Sequence, residues 1–144
     1  LTFQGYKPVL TESMVMKMIE ICVKKADELN IFVNIAVMDD GGNLKGFLRM
    51  DQAALMNGQI ARNKAYTAVG LGIPTTDWYP KIKDMPELLH GLVHTDNMVI
   101  FGGGLPIYID SQLVGGIGVS GGTCEQDDIC AQSALDEILG DQKR

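Results

Sequence analysis

The sequence predicts an α+β domain, a five-stranded and mostly antiparallel sheet flanked by helices. Three observations predict it. Two long stretches repeat apolar or small residues at helical spacing, one near the start of the chain and one in its middle. A hairpin signature lies between them. Three β-rich runs joined by glycine turns then lead into a capped helix. At 144 residues, 46% of them hydrophobic and 21% charged, the chain suits one domain with a real core.

The first element is a helix over Thr11–Asn30. Met14, Met18, Ile21, Cys22 and Leu29 mark its apolar side, with Lys17, Lys24 and Lys25 opposite. The Met-rich face reads as core or subunit contact. Ile31–Asp39 switches to a Val/Ile strand pattern. Asp39-Asp40-Gly41-Gly42-Asn43 turns the chain, and Leu44–Met50 returns as the second strand of a hairpin. The second helix, Ala53–Leu71, carries a face of small residues (Ala54, Gly58, Ala61, Ala65, Ala68) that would lie close on a sheet. Pro74–Asp96, with three prolines, predicts short helical turns rather than one element. Asn97–Phe101, Leu105–Asp110 and Leu113–Val119 predict three further strands, and Thr123–Leu139 the closing helix, with Thr123 and Gln126 spaced as a capping box.

Gly116-Ile117-Gly118-Val119-Ser120-Gly121 matches G-x-G-x-x-G, a dinucleotide fingerprint only when it follows the first strand of a βαβ unit. Here it follows the last predicted strand, and no second parallel strand comes after the helix. Glu125, Asp127 and Asp128 crowd the first turn of that helix, where they would repel a phosphate. No nucleotide is expected. The glycines instead let a strand and a helix pack closely, or let backbone approach a ligand.

A formal charge of −6 without a basic stripe argues against nucleic acid. No apolar run has the length of a membrane span. Cys22, Cys124 and Cys130 fit neither a redox pair nor a zinc site, which points to a reducing compartment. Leu1-Thr2-Phe3-Gln4-Gly5 reads as a protease-site scar with one residue changed, so residues 6–144 are taken as the domain. The expected location is the cytoplasm, with secretion left open because a leader could have preceded the scar.

Five runs carry a resemblance. They are Val37-Met38-Asp39-Asp40-Gly41-Gly42, Leu48-Arg49-Met50-Asp51, Ala61-Arg62-Asn63-Lys64-Ala65-Tyr66-Thr67-Ala68, Gly103-Gly104-Leu105-Pro106-Ile107, and Gly116 to Gly122 followed by Gln126-Asp127. In this order they resemble the GlcG/HbpS family of heme-binding-type proteins, which includes the C-terminal domain of PduO-type corrinoid adenosyltransferases. The resemblance covers nearly the whole chain after the scar. It implies a profilin-like sheet with helices on both faces and assembly into homo-oligomers. For some members it implies heme binding, and for others a place in catabolic operons. Activity transfers less safely than fold.

His90 and His94 are spaced i, i+4 and, on a helix over Leu88–Thr95, would present both imidazoles to one metal or to a heme iron. They lack the glutamate of a zinc hydrolase, and the alternative is two ordinary surface histidines. Arg49, Asp51 and Lys64 form a second group: Arg and Lys to hold a propionate or other carboxylate, or else an Asp51 helix cap with a structural ion pair. Gly103, Gly104 and Gly121 offer backbone N–H groups to a ligand, or merely meet the demands of turns. Trp78 and Tyr79 would wall an apolar pocket or an oligomer interface.

The expected function is an oligomeric binder of heme or another tetrapyrrole. Its pocket is expected between the sheet, the second helix and the 74–96 segment. The alternatives are a cofactor-independent enzyme on a small catabolic metabolite, with Lys64, His90 or His94 as acid or base, or an accessory domain of a larger enzyme.

Overall fold

The structure, a computed structural model, describes residue 1 and residues 3–140. Position 2 of the expected scar and positions 141–144 of the expected domain lie outside the described residues. In chain order the elements are α1 (Glu12–Leu29), β1 (Asn34–Asp39), β2 (Leu44–Arg49), α2 (Met56–Leu71), α3 (Trp78–Ile82), α4 (Pro86–Gly91), β3 (Gly104–Ile109), β4 (Gln112–Ser120) and α5 (Cys124–Leu139). Short 3-10 turns at Thr75–Asp77 and Leu92–His94 flank α3 and α4, so the proline-rich segment is a series of short helical pieces.

The termini of the long helices follow from sequence. Thr11 caps α1 by accepting from the Met14 N–H at 3.3 Å. Asn30 closes it in the left-handed region at φ 56°. The Thr123–Gln126 capping box is present at the start of α5, with reciprocal bonds of 3.0 and 3.1 Å. Asp39 builds the hairpin turn, its Oδ1 accepting from the Gly41 and Asn43 N–H groups at 2.9 and 3.0 Å.

The four strands form one antiparallel sheet in the order β2-β1-β4-β3. The α+β class holds, but the sheet has four strands where five were expected. Asn97–Phe101 is not a strand. Its backbone is claimed by a side chain of α2: Thr67 Oγ1 donates to the Asn97 carbonyl at 2.8 Å and accepts from the Val99 N–H at 3.0 Å. Asn97 itself sits at φ 65°, which no strand allows.

The two faces of the sheet differ in kind. One face packs Ile35, Val37, Leu105, Ile107, Ile117 and Val119 against α1 and α5, forming the main core. The other lies against α2, where Ala36 and Met38 meet Ala61 and Ala65. Contact there is nearly backbone on backbone. A Cβ at Gly118 would collide with the Ala61 carbonyl and come within 2.6 Å of the Ala65 nitrogen, and one at Gly116 would strike the Ala65 carbonyl. The G-x-G of the sequence motif is therefore the seat of α2. Among the described residues no helix is long and apolar enough to cross a membrane.

Candidate functional site

A cavity of about 590 Å3 lies where the start of α2 meets β1 and β2. Its lining comes from the sheet (Asn34, Phe47, Arg49) and from the start of α2 (Leu55, Met56, Gly58, Gln59, Arg62). Strand alternation explains the sheet side. Asn34 pairs with Arg49 and Ala36 with Phe47 in the β1–β2 register, so these four residues share the α2 face. Arg62 lies one turn beyond Gly58, and its guanidinium stands 4.8 Å from the centroid of the Phe47 ring. Arg49 and Arg62 are exposed at the rim, whereas Asn34 is fully buried. Among the described lining residues none is acidic. The volume falls within the roughly 300–1,000 Å3 of small-molecule sites.

Of the residues proposed from sequence, Arg49 lines this cavity. Asp51 does not cap α2. The chain turns at Met50–Ala53, the Ala53 N–H bonding the Met50 carbonyl at 2.9 Å, and α2 starts only at Met56. Leu55 occupies the N-cap position and makes no side-chain cap.

Lys64 points away from the cavity, onto the small-residue face, and is 1% exposed. Its Nζ donates to Asp127 Oδ2 at 3.0 Å and to the Val119 carbonyl at 2.9 Å, and lies 5.4 Å from the centroid of the Phe101 ring. Asp127 Oδ1 accepts in turn from the Gly122 N–H at 2.8 Å. Beside them Asp128 Oδ1 accepts from the Gly103 N–H at 2.7 Å. Burial raises the Asp128 carboxyl above its ordinary range, opposed by the Gly103 bond and the Lys64 charge and reinforced by Asp127 and Asp77.

The glycines proposed as ligand donors face inward. Gly103 gives its N–H to Asp128, and Gly104 gives its own to Thr75 Oγ1 at 2.9 Å. A Cβ on Gly121, at φ 152°, would strike the Phe32 carbonyl, so that glycine permits a close backbone crossing.

His90 and His94 are not on one helix. His90 lies in the last turn of α4, His94 ends the 3-10 turn that follows, and both are exposed. Gly91 lies between them at the change of pitch. Neither lines the 590 Å3 cavity. Trp78 and Tyr79 open α3. Trp78 is half-buried with its Nε1 unpartnered among the described residues, and Tyr79 is exposed. The proline-rich segment contributes instead to two smaller cavities. One, of about 320 Å3, includes Pro74, Asp77 and Asp128, and another, of about 240 Å3, includes Leu92, Thr95 and Tyr66. Among the described residues no cluster of three or more His, Cys, Asp or Glu side chains is arranged to hold a metal ion.

Sequence reasoning did not propose Asn34, Phe47 or Arg62 as site residues, and it read Gly58 only as part of the small-residue face of α2. A signal for Arg62 was present, since it lies four residues after Gly58 on the same side of the helix, at the edge of the small-residue stripe. Asn34, a polar residue within a Val/Ile strand, was the other available clue.

The comparisons agree with this architecture. The chain is 40% identical over 129 residues to an uncharacterized 15.0 kDa protein of the dhaT-dhaS intergenic region of Citrobacter freundii, covering 88% of this chain and 90% of that one. Klebsiella pneumoniae protein ORFY superposes with a TM-score of 0.90 at 35% identity, covering 99% of each chain. The crystal structure of a PduOC:heme complex superposes with a TM-score of 0.84 at 30% identity, covering 92% of this chain and 96% of that one. The family model described as "Haem degrading protein HbpS-like" matches residues 10–136. With its four-stranded sheet seated on α2 through Gly116 and Gly118, this chain belongs to the HbpS-like family.

Proposed function

We propose that this protein binds a tetrapyrrole, specifically heme, in the cavity between β2 and α2. One observation carries the reading: two guanidiniums, Arg49 and Arg62, share a single cavity of about 590 Å3 with the apolar surfaces of Phe47, Leu55 and Met56. A heme is an apolar plate with two propionate carboxylates on one edge. Arginine suits carboxylates through its bidentate fork, and the three apolar side chains suit the plate. The residues present therefore fit the group. The heme complex of the structural neighbour PduOC and the family's haem-degrading description support the same ligand class.

When bound, heme supplies iron-centred redox and ligand-binding chemistry. The chain's own part is to anchor the carboxylates at Arg49 and Arg62 and to shield one side of the plate with Phe47, Leu55 and Met56. For the iron the cavity itself offers the Met56 thioether, whereas His90 and His94, which do not line this cavity, could serve only from a second copy of the chain. In this reading the chain acts as a cytoplasmic homo-oligomer.

Titration with hemin, followed by absorption and light scattering, tests this. A saturable Soret change is expected, weakened at least about tenfold in an Arg49→Gln, Arg62→Gln double variant that loses two charge-assisted contacts. His90→Ala, His94→Ala and Met56→Ala separate the ligand assignments by which one shifts the Soret maximum. A non-saturating response, or affinity unchanged without both arginines, overturns the site.

A further inference from the structure

The same cavity contains a polar atom that the heme periphery, which carries no hydrogen-bond donor when its propionates are ionised, does not satisfy. Asn34 is fully buried, and its amide orientation is set by Nδ2, which donates to the Ala54 carbonyl at 3.0 Å. That leaves Asn34 Oδ1 buried and without a hydrogen-bond partner among the described residues. A buried carbonyl oxygen in this state carries an unrecovered desolvation cost until a donor reaches it.

Phe47 is what closes that oxygen off. A Cβ on Gly58 would lie 3.4 Å from Asn34 Oδ1 and 3.2 Å from Phe47 Cζ. The two groups thus converge where Gly58 has no side chain, with Phe47 as the cover. The Phe47 ring is in turn held beneath the Arg62 guanidinium at 4.8 Å. Arg49 stands directly across the strand pair from Asn34, where Cβ atoms are about 5 Å apart. The start of α2 adds to the positive field, because its first turn has no acidic residue and no side-chain cap.

We infer that the cavity is also a site for a small carboxylate that carries a hydroxyl or amide donor. The carboxylate pairs with Arg49 and Arg62. Drawing Arg62 off the Phe47 ring exchanges a weak cation–π contact for a charge-assisted pair. The ring, no longer pinned, turns aside, and the ligand O–H or N–H donates to Asn34 Oδ1. An acid without a donor gains the arginines but leaves that oxygen unpaired. Neutral alcohols gain the oxygen and miss the arginines.

Calorimetric titration of the full, heme-free chain with two matched pairs tests this: mandelate against phenylacetate, and lactate against propionate. In each pair the hydroxy acid is expected to bind at least about tenfold more tightly. Asn34→Leu should bring the ratio to about one while carboxylate binding persists. Gly58→Ala should do the same by filling the space beside Oδ1, and it favours the helix, so it reports even if the Asn34 variant does not fold. Arg49→Gln or Arg62→Gln should weaken both members of each pair. Equal binding within both pairs, no binding of any of the four acids, or a ratio unchanged in Gly58→Ala overturns the inference. Failure of the hemin titration does not bear on this outcome, because heme is absent from the sample.

Discussion

Lys64 shows how strongly one side chain can be committed to the fold. Its ammonium is sealed between Asp127 and the Val119 carbonyl, so removing it strands a carboxylate in the interior. Lys64→Met is expected to cost about 3–5 kcal/mol, measured as a fall in the urea midpoint. Adding Asp127→Leu should restore most of the loss, since no buried charge then lacks its partner. A single variant as stable as the parent would remove the pair from any account of stability. The cysteines make a second residue-scale case. Burial, with Asp127 adding, pushes the Cys130 thiol up to about 12, and burial with Cys130 nearby raises Cys22 further, while Cys124 is exposed. Native protein at pH 8 should therefore release about one equivalent in a disulfide-exchange assay, and denatured protein all three cysteines. The sign of the linkage follows: the unfolded thiols ionise first, so stability falls as pH rises above the ordinary thiol value of 9.0. Equal native reactivity of all three thiols would contradict the burial. At this scale the sequence was only half legible. A lysine among alanines signals an interior role, but its partner lies 63 positions away on another helix, and no local pattern encodes that distance.

Among the elements, α2 is the one whose position the rest of the molecule depends on. It rests on β4 without intervening side chains at Gly116 and Gly118. Gly118→Ala should cost at least the ~1–3 kcal/mol typical of overpacking, because the atoms it meets are backbone and cannot rotate away. Gly70→Ala, on the same helix but with nothing within 4 Å of its Cβ, should instead stabilise by roughly 0.5–1 kcal/mol through helix propensity. Thermal melts of the two variants should shift in opposite directions, and a shared sign would refute the packing account. The long helices and the hairpin were legible because caps, turn residues and periodicity are local signals. Asn97–Phe101 was misread for the opposite reason. Its Val and Ile match a strand pattern, but Thr67 and the positive φ of Asn97 decide its path, and both effects are tertiary.

In the molecule as a whole, the two sides of the sheet follow different construction rules. Large aliphatic side chains fill the space toward α1 and α5, while glycine and alanine bring α2 almost into backbone contact. The order of elements made the α+β class legible. The cavity was not, because its lining joins two strands to the start of a helix further along the chain, a juxtaposition that no local pattern encodes. The histidine pair drew attention through spacing alone, yet the chain changes helical pitch between them and leaves both in solvent. Backbone contact between α2 and β4 also has an evolutionary consequence. The position of α2, which carries one wall of the cavity, is fixed by atoms common to every residue type, so drift cannot move that wall without unseating the helix. Arg49, Leu55, Met56, Gln59 and Arg62 at the mouth bear no such constraint. One scaffold can therefore exchange ligands across a lineage through changes at a handful of rim positions, while its backbone stays superposable.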